Sequence, residues 1–175
     1  DSLAYGLSHP NVKLSAEVLK KFGVKNALIY SCTLDGVHFL DELLPIGYAN
    51  LIRIKNSNVE KNISADIQDA LSINKYFNIT DLEEKENKIN NVLESLKILK
   101  GEGNESQIDA ICINASIFLL LADKVSSLEE GFKVAKNIIH TNKVWTNFLK
   151  VVDLYGGDSK KLEKMVDEYK RCKKI

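Results

Sequence analysis

Between Gln107 and Val125, apolar residues surround the helical axis on almost every side. A helix of that kind has no face to offer to water and belongs in a core or a membrane. Its longest unbroken apolar run, Ile117 to Ala122, falls far short of the ~20 residues that a bilayer requires. The segment therefore predicts a helix buried all round, with Ile113, Asn114 and Phe118 inside. Such a helix demands further layers to cover it, and a chain of 175 residues can supply them.

The remaining segments suggest what those layers are. Ser8-His9-Pro10 reads as a helix start, followed by Val12, Leu14, Ala16, Val18, Leu19 and Phe22 as an apolar face and Gly23 as the stop. Ala27-Leu28-Ile29-Tyr30 is a short continuous apolar run, suited to a buried strand with parallel neighbours. A helix followed closely by such a strand is half of an α/β unit, in which functional residues gather just past the carboxyl ends of strands. Ser31 to Tyr48 then forms a loop punctuated by Gly36, Pro45 and Gly47.

Further along, Leu51 to Ile54 and Val59-Glu60-Lys61-Asn62-Ile63 flank Asn56-Ser57-Asn58 and read as a peripheral hairpin. Asp66 to Asp81 carries little pattern and is assigned to turns. Leu82 to Leu99 predicts a helix closed by Gly101 and Gly103. Ser127-Leu128-Glu129-Glu130 is a capping box that opens a helix to about His140. Helices over Lys143 to Leu154 and Ser159 to Cys172 complete the chain. The expected architecture is one α/β portion over 1–175, a mainly parallel sheet with flanking helices.

Charge balance argues against a polyanionic partner. Lys and Arg number 24, as do Asp and Glu, leaving no net field to attract nucleic acid or an anionic membrane. Cys32, Cys112 and Cys172 are widely spaced and make neither a C-x-x-C pair nor a zinc pattern, which points to reduced thiols in the cytoplasm. Asn-x-Ser/Thr triplets begin at Asn62, Asn78, Asn104 and Asn114, but the last lies in the most apolar segment, where no glycan fits.

Asp41-Glu42 is the strongest candidate for chemistry. Adjacent carboxylates just past a buried strand suit Mg2+, which keeps several waters and takes its other ligands from substrate phosphates. Spacing alone equally describes an acidic pair on a solvated loop. His38 lies three residues before Asp41 and has the chemistry of a general base, or is an incidental loop residue. His9 and His140 belong to a helix start and a helix end. No nucleophile elbow surrounds Ser31, Cys32 and Thr33. Gly156-Gly157-Asp158 reads as a helix stop and cap rather than a phosphate loop.

Taken in order, these segments resemble the second half of the anthranilate phosphoribosyltransferase family. Tyr5-Gly6-Leu7-Ser8-His9-Pro10 is similar to the entry into the family's large-domain helix, and Ala16 to Ile29 to the helix and strand after it. Leu40-Asp41-Glu42 with Pro45-Ile46-Gly47 resembles the family's Asp-Glu loop. Glu86-Asn87 with Val92-Leu93 is similar to its Glu-Asn-rich helix. Asp109 to Ser116 resembles its buried Asn-Ala helix, and Ser127 to Gly131 the start of the next.

The resemblance implies a nucleoside phosphorylase/phosphoribosyltransferase-type fold. It also implies transfer of phosphoribose from phosphoribosyl pyrophosphate to anthranilate, in tryptophan biosynthesis. Asp41 and Glu42 would hold Mg2+ against the pyrophosphate. The family's glycine-rich pyrophosphate loop, its Lys-His-Gly-Asn segment and its anthranilate-contacting arginine lie in its first half. This chain is thus expected to need an N-terminal complementing polypeptide and to be inactive alone. A homo-oligomer is compatible with the same reading. Two departures stand out: Phe39 occupies the place of a family glycine, and Ser31 to Leu40 is a few residues longer than usual. They leave open a catalytically idle binding or scaffold module descended from the family. A related pyrimidine nucleoside phosphorylase shares the general fold but has no motif support here.

Overall fold

The computed structural model describes residues 2–60, 62–73, 77–83 and 87–172, with side chains up to Tyr169. Lys61, Glu86 and the Cys172 side chain, named above, lie outside the described residues. The chain divides into two compact units: Asp1–Phe77 with Asp109–Ala135, and Asn78–Ile108 with Lys136–Ile175.

The first unit is built on a mixed sheet. Its strands are β1 (Ser2–Gly6), β2 (Asn26–Thr33), β3 (Phe39–Leu40), β4 (Tyr48–Lys55), β5 (Asn58–Val59) and β6 (Ile63–Asp66). The expected strand at Ala27 to Tyr30 is the middle of β2, which is buried from Ala27 to Thr33. Alternation sends Ala27 and Ile29 to one face, where they pack with Ile52, Ile54, Val12 and Ala16. Leu28 takes the opposite face with Leu51, bordering a cleft that also touches Leu120 and Leu128.

The α/β class is as expected, but the sheet is not mainly parallel. Only β1 runs parallel to β2, whereas β3 and β4 pair with β2 in antiparallel register. The physical reason is simple. A continuous apolar run reports burial on both faces and carries no information on the direction of neighbouring strands. Strand β4 is also no peripheral element, because it pairs with β2 on one side and with β5 and β6 on the other. Its polar Arg53 is accommodated by an ion pair to Asp123 at 2.8 Å, which Lys55 shares at the same distance.

Helix α1 (Val12–Lys21) begins later than the Ser8-His9-Pro10 signal suggests, with Asn11 in the N-cap position. The residue before a proline is biased away from helix, and the Asn11 N–H instead donates to His9 Nδ1 at 3.2 Å. At the other end Gly23, at φ +83, closes the helix by donating to Lys20 O while Val24 donates to Leu19 O, a Schellman stop. Of its apolar residues, Val12 and Ala16 face the sheet, while Leu14, Val18 and Phe22 are exposed.

Asp66 to Asp81 holds more structure than its weak pattern suggests. A short helix α2 (Ile67–Leu71) is capped by the Asp66 carboxylate, which accepts from the N–H groups of Gln68 and Asp69. A 3₁₀ turn at Ile79–Leu82 follows. Five residues are too few for a helical period to register in sequence.

Later helices are α3 (Lys88–Leu99), α4 (Glu105–Leu121), α5 (Leu128–His140), α6 (Lys143–Leu154) and α7 (Ser159–Cys172). The capping box holds in modified form: Ser127 Oγ accepts from Glu130 N–H at 3.1 Å, and the Glu130 carboxylate reaches Ser126 N–H at 2.8 Å. Among the described residues no helix is long and apolar enough to cross a membrane. The expectation that α4 is buried all round holds for Ile113, but Asn114 is only half-buried and Phe118 is 60% exposed. Seventeen residues of a single helix present more circumference than this unit covers, and no charge marks the open side.

In the second unit Leu93, Leu96, Trp145 and Val166 form the core, with Phe148, Leu162 and Tyr169 packed against it. Trp145 is 2% exposed, and its indole N–H donates to Glu163 Oε1 at 3.3 Å. Lys100 lies 5.6 Å from the ring centroid and is paired with Asp167. Truncating Trp145 to alanine is expected to destabilise this unit by about 3–5 kcal/mol, and Phe118→Ala to stay within about 0.5 kcal/mol. Denaturant unfolding followed by circular dichroism checks both. A large loss for Phe118→Ala would show that this side of α4 is covered after all.

Candidate functional site

The parallel strands β1 and β2 present their carboxyl ends together, and the chain returns to that spot within a few residues. After Thr33 it turns back through β3, whose Phe39 and Leu40 register against Thr33 and Cys32. Asp41 and Glu42 follow at once and are exposed, whereas Leu43, Leu44 and Pro45 are buried. The antiparallel register thus brings the two carboxylates back alongside β2 and just past the carboxyl end of β1, where an α/β fold commonly places its ligands.

Two contacts fix that position. Gly6, the last residue of β1, lies directly beneath the Asp41 backbone: a Cβ added there would come within 1.8 Å of the Asp41 carbonyl oxygen. Any larger residue would push the acidic segment away. On the other side, Asn114 of α4 grips the next peptide. Leu43 N–H donates to Asn114 Oδ1 at 3.0 Å, and Asn114 Nδ2 donates to Leu43 O at 2.8 Å. The same Nδ2 also donates to Ala110 O at 2.8 Å.

The local field is negative. Burial raises the pKa of the Tyr30 phenol above its ordinary value, and the charges of Glu42 and then Asp41 raise it further. Their effect on Tyr30 shows that both carboxylates act on the end of β2. Among the described residues no group of three or more His, Cys, Asp or Glu side chains could hold a metal ion. Asp41 and Glu42 thus offer two carboxylates, without a third His, Cys, Asp or Glu grouped with them among the described residues. That donor set fits Mg2+, which binds through one or two carboxylates with water and phosphate oxygens completing the shell.

The remaining candidates resolve differently. Asp35 organises the tip of the loop: its Oδ1 accepts from the N–H groups of Val37 at 2.9 Å and His38 at 2.8 Å. Its Oδ2 meets His38 Nδ1 at 2.6 Å. The histidine holds the Asp35 carboxyl well below the usual carboxylate range, helped by the two backbone donors. Conversely, Asp35 raises the His38 pKa above 6.5. His38 is thus the partner of Asp35 in an exposed turn. Ser31 is wholly buried, and its hydroxyl meets no hydrogen-bond partner among the described residues, a poor setting for a nucleophile. Cys32 and Cys112 are buried thiols, and burial raises the Cys32 pKa. Gly156 donates to Asp153 O and Gly157 to Val152 O, ending α6. Asp158 Oδ1 then accepts from Lys161 N–H at 2.9 Å and caps α7, as the sequence suggests.

Sequence reasoning missed Gly6, Tyr30 and the task of Asn114. The signal for Asn114 was present, since an amide inside an otherwise apolar helix requires partners to offset its desolvation. Gly6 carried none, because its constraint comes from a segment 35 residues away.

The Asp35–His38 pair gives a pH-dependent expectation. A histidine whose folded pKa is raised contributes stability below its unfolded pKa and loses it as pH rises through the folded value. Order in the 33–38 turn should therefore fall as pH climbs past 6.5 and on through the raised His38 value. Asp35→Asn should bring His38 back towards 6.5. An NMR titration of the His38 ring measures this directly, and an unchanged midpoint in the variant would refute the pairing.

Comparison with known proteins gives the same picture. The family model described as "Glycosyl transferase family, a/b domain" matches residues 6–144. Anthranilate phosphoribosyltransferase of Bacillus cereus (strain B4264) is 33% identical over 152 residues, covering 86% of this chain and 40% of the relative. The protein of the same name from Pelagibacter ubique is 26% identical over 140 residues, covering 80% and 40%. The chain thus spans about 40% of the length of these relatives, and the match is with their C-terminal part, as the motifs implied. Two solved structures share the fold. Anthranilate phosphoribosyltransferase from Thermus thermophilus superposes with a TM-score of 0.62 at 19% identity, over 81% of this chain and 39% of that one. A variant of the Saccharomyces cerevisiae enzyme with Mg bound gives 0.64 at 17% identity, over 83% and 40%. With its α/β architecture and the family model both spanning the sheet and the acidic loop, the chain belongs to the glycosyl transferase α/β-domain family, among relatives that are anthranilate phosphoribosyltransferases.

Proposed function

We propose that this chain is the portion of an anthranilate phosphoribosyltransferase that carries the acidic metal loop. It would act with a complementing N-terminal polypeptide on phosphoribosyl pyrophosphate and anthranilate. The observation that carries this reading is the delivery of Asp41 and Glu42, both exposed, to the carboxyl end of the β1–β2 pair. A bound Mg2+ would supply positive charge to a pyrophosphate leaving group. Asp41 and Glu42 would hold the ion, and the buried Leu43-Leu44-Pro45 segment behind them would keep the pair facing outward.

The departures in the loop bear on the choice between enzyme and idle module. Phe39 forms a strand pair with Thr33, and the excursion from Leu34 to His38 is closed by its own Asp35 hydrogen bonds. The loop's excursion is therefore confined upstream of the carboxylates, and Leu40 directly before them pairs with Cys32. This supports the enzyme reading over the scaffold.

Pure chain alone is expected to show no turnover of phosphoribosyl pyrophosphate with anthranilate, because the phosphate cradle and the anthranilate contact are assigned to the complementing polypeptide. In the completed enzyme, Asp41→Asn and Glu42→Gln should each slow turnover about a hundredfold while changing stability by less than about 0.5 kcal/mol. Steady-state rates across magnesium concentrations, with melting temperatures alongside, test it. Near-normal rates and magnesium dependence in both variants would return the pair to an ordinary solvated loop.

A further inference from the structure

Asn114 spends its whole amide on backbone. Its Oδ1 accepts from Leu43 N–H at 3.0 Å, and its Nδ2 donates to Leu43 O and Ala110 O, both at 2.8 Å. The amide orientation is fixed by these partners, since a flipped amide would set its oxygen against two carbonyl oxygens. Leu43 in turn is completely buried. The residue immediately after the acidic pair thus has its side chain, its N–H and its C=O all held. Asp41 is fixed from the other side by its carbonyl lying over Gly6.

We infer that Asn114 is a positioning residue for the Asp41–Glu42 pair, setting the backbone from which both carboxylates reach a divalent cation. This inference rests on the metal reading of that pair. Packing alone does not account for an asparagine here. Leu43 and its neighbours Leu44 and Pro45 are already buried, and Ile113 and Ile117 beside Asn114 are fully buried hydrocarbons. Asn114 itself is half-buried, and an amide that gives up part of its water in this way needs well-made hydrogen bonds to offset the loss. What it adds beyond packing is direction: two opposed hydrogen bonds to one peptide unit fix how the chain enters and leaves Leu43. Two flexible carboxylates on an unanchored loop would have to be ordered by the cation itself, and affinity would fall accordingly.

Asn114→Asp is the sharp test, because it preserves shape while replacing the donor group with an oxygen that repels Leu43 O and Ala110 O. Asn114→Ser is a milder second variant that removes both contacts to Leu43 without adding charge. The probe is Mn2+, read by the paramagnetic broadening of backbone amide resonances in the 175-residue chain, which detects weak binding. In the wild type, broadening should begin at Asp41 to Leu43, and Asp41→Asn should abolish it. Either Asn114 variant should raise the Mn2+ concentration needed by about tenfold, the low end for residues that orient metal ligands. Wild-type Leu43 N–H should also exchange with solvent about a hundredfold more slowly than Glu42 N–H, a measurement that needs no variant to fold.

Unchanged broadening in Asn114→Asp and Asn114→Ser, with Asp41→Asn still defective, would overturn the positioning role and leave the metal reading intact. Absence of local broadening in the wild type, or its persistence in Asp41→Asn, would overturn the metal reading and this inference together. Leu43 exchange as fast as that of Glu42 would overturn the clamp itself.

Discussion

Everything in the first unit is referred to β2, because β2 has no face left for water. Its residues from Ala27 to Thr33 are buried, so one face must be covered by α1 and the other by the cleft-lining residues of α4 and α5. Both of its edges are paired as well, with β1 and then β3 on one side and β4 on the other. A strand saturated in this way has little freedom of register, since a shift of one residue would turn Ala27 and Ile29 to the wrong face. The end of β2 is therefore a rigid reference point, and the acidic pair is placed relative to it by the short β3 register.

The site depends on contacts that are individually small and mutually dependent. Gly6 permits the Asp41 backbone to cross β1, and Asn114 holds the peptide that follows. Neither touches a carboxylate oxygen. Together they turn a surface loop into a framed segment whose exposed residues are exposed by construction. The Tyr30 phenol records the result, since its proton is held more tightly where two negative charges converge on a partly desolvated ring.

What could be read from sequence was the part governed by local chemistry. The helices α6 and α7 fall where Lys143 to Leu154 and Ser159 to Cys172 place them, since capping residues and glycine stops act within one turn. The exposure of Asp41 and Glu42 was legible because both are charged residues in a loop broken by Gly36, Pro45 and Gly47. Direction of the sheet was not legible: β4 returns antiparallel through a loop whose path is fixed by Leu43 and Asn114, 71 residues apart. Exposure of Phe118 was hidden for a related reason, because a uniformly apolar helix gives no hint of which side its neighbours leave uncovered. The start of α1 was misplaced because a proline signals a first turn and, equally, a barrier to helix in the residue before it.

Trp145 is the chain's sole indole and sits in the core of the second unit, beneath Lys100 and bonded to Glu163. Its ultraviolet emission therefore reports the helical unit alone. The sheet unit, with its acidic loop, carries tyrosines such as Tyr5, Tyr30 and Tyr48 and no tryptophan. The protein thus has a built-in spectroscopic label on one half of its architecture, and tryptophan fluorescence is silent on whether the half bearing Asp41 and Glu42 has kept its shape.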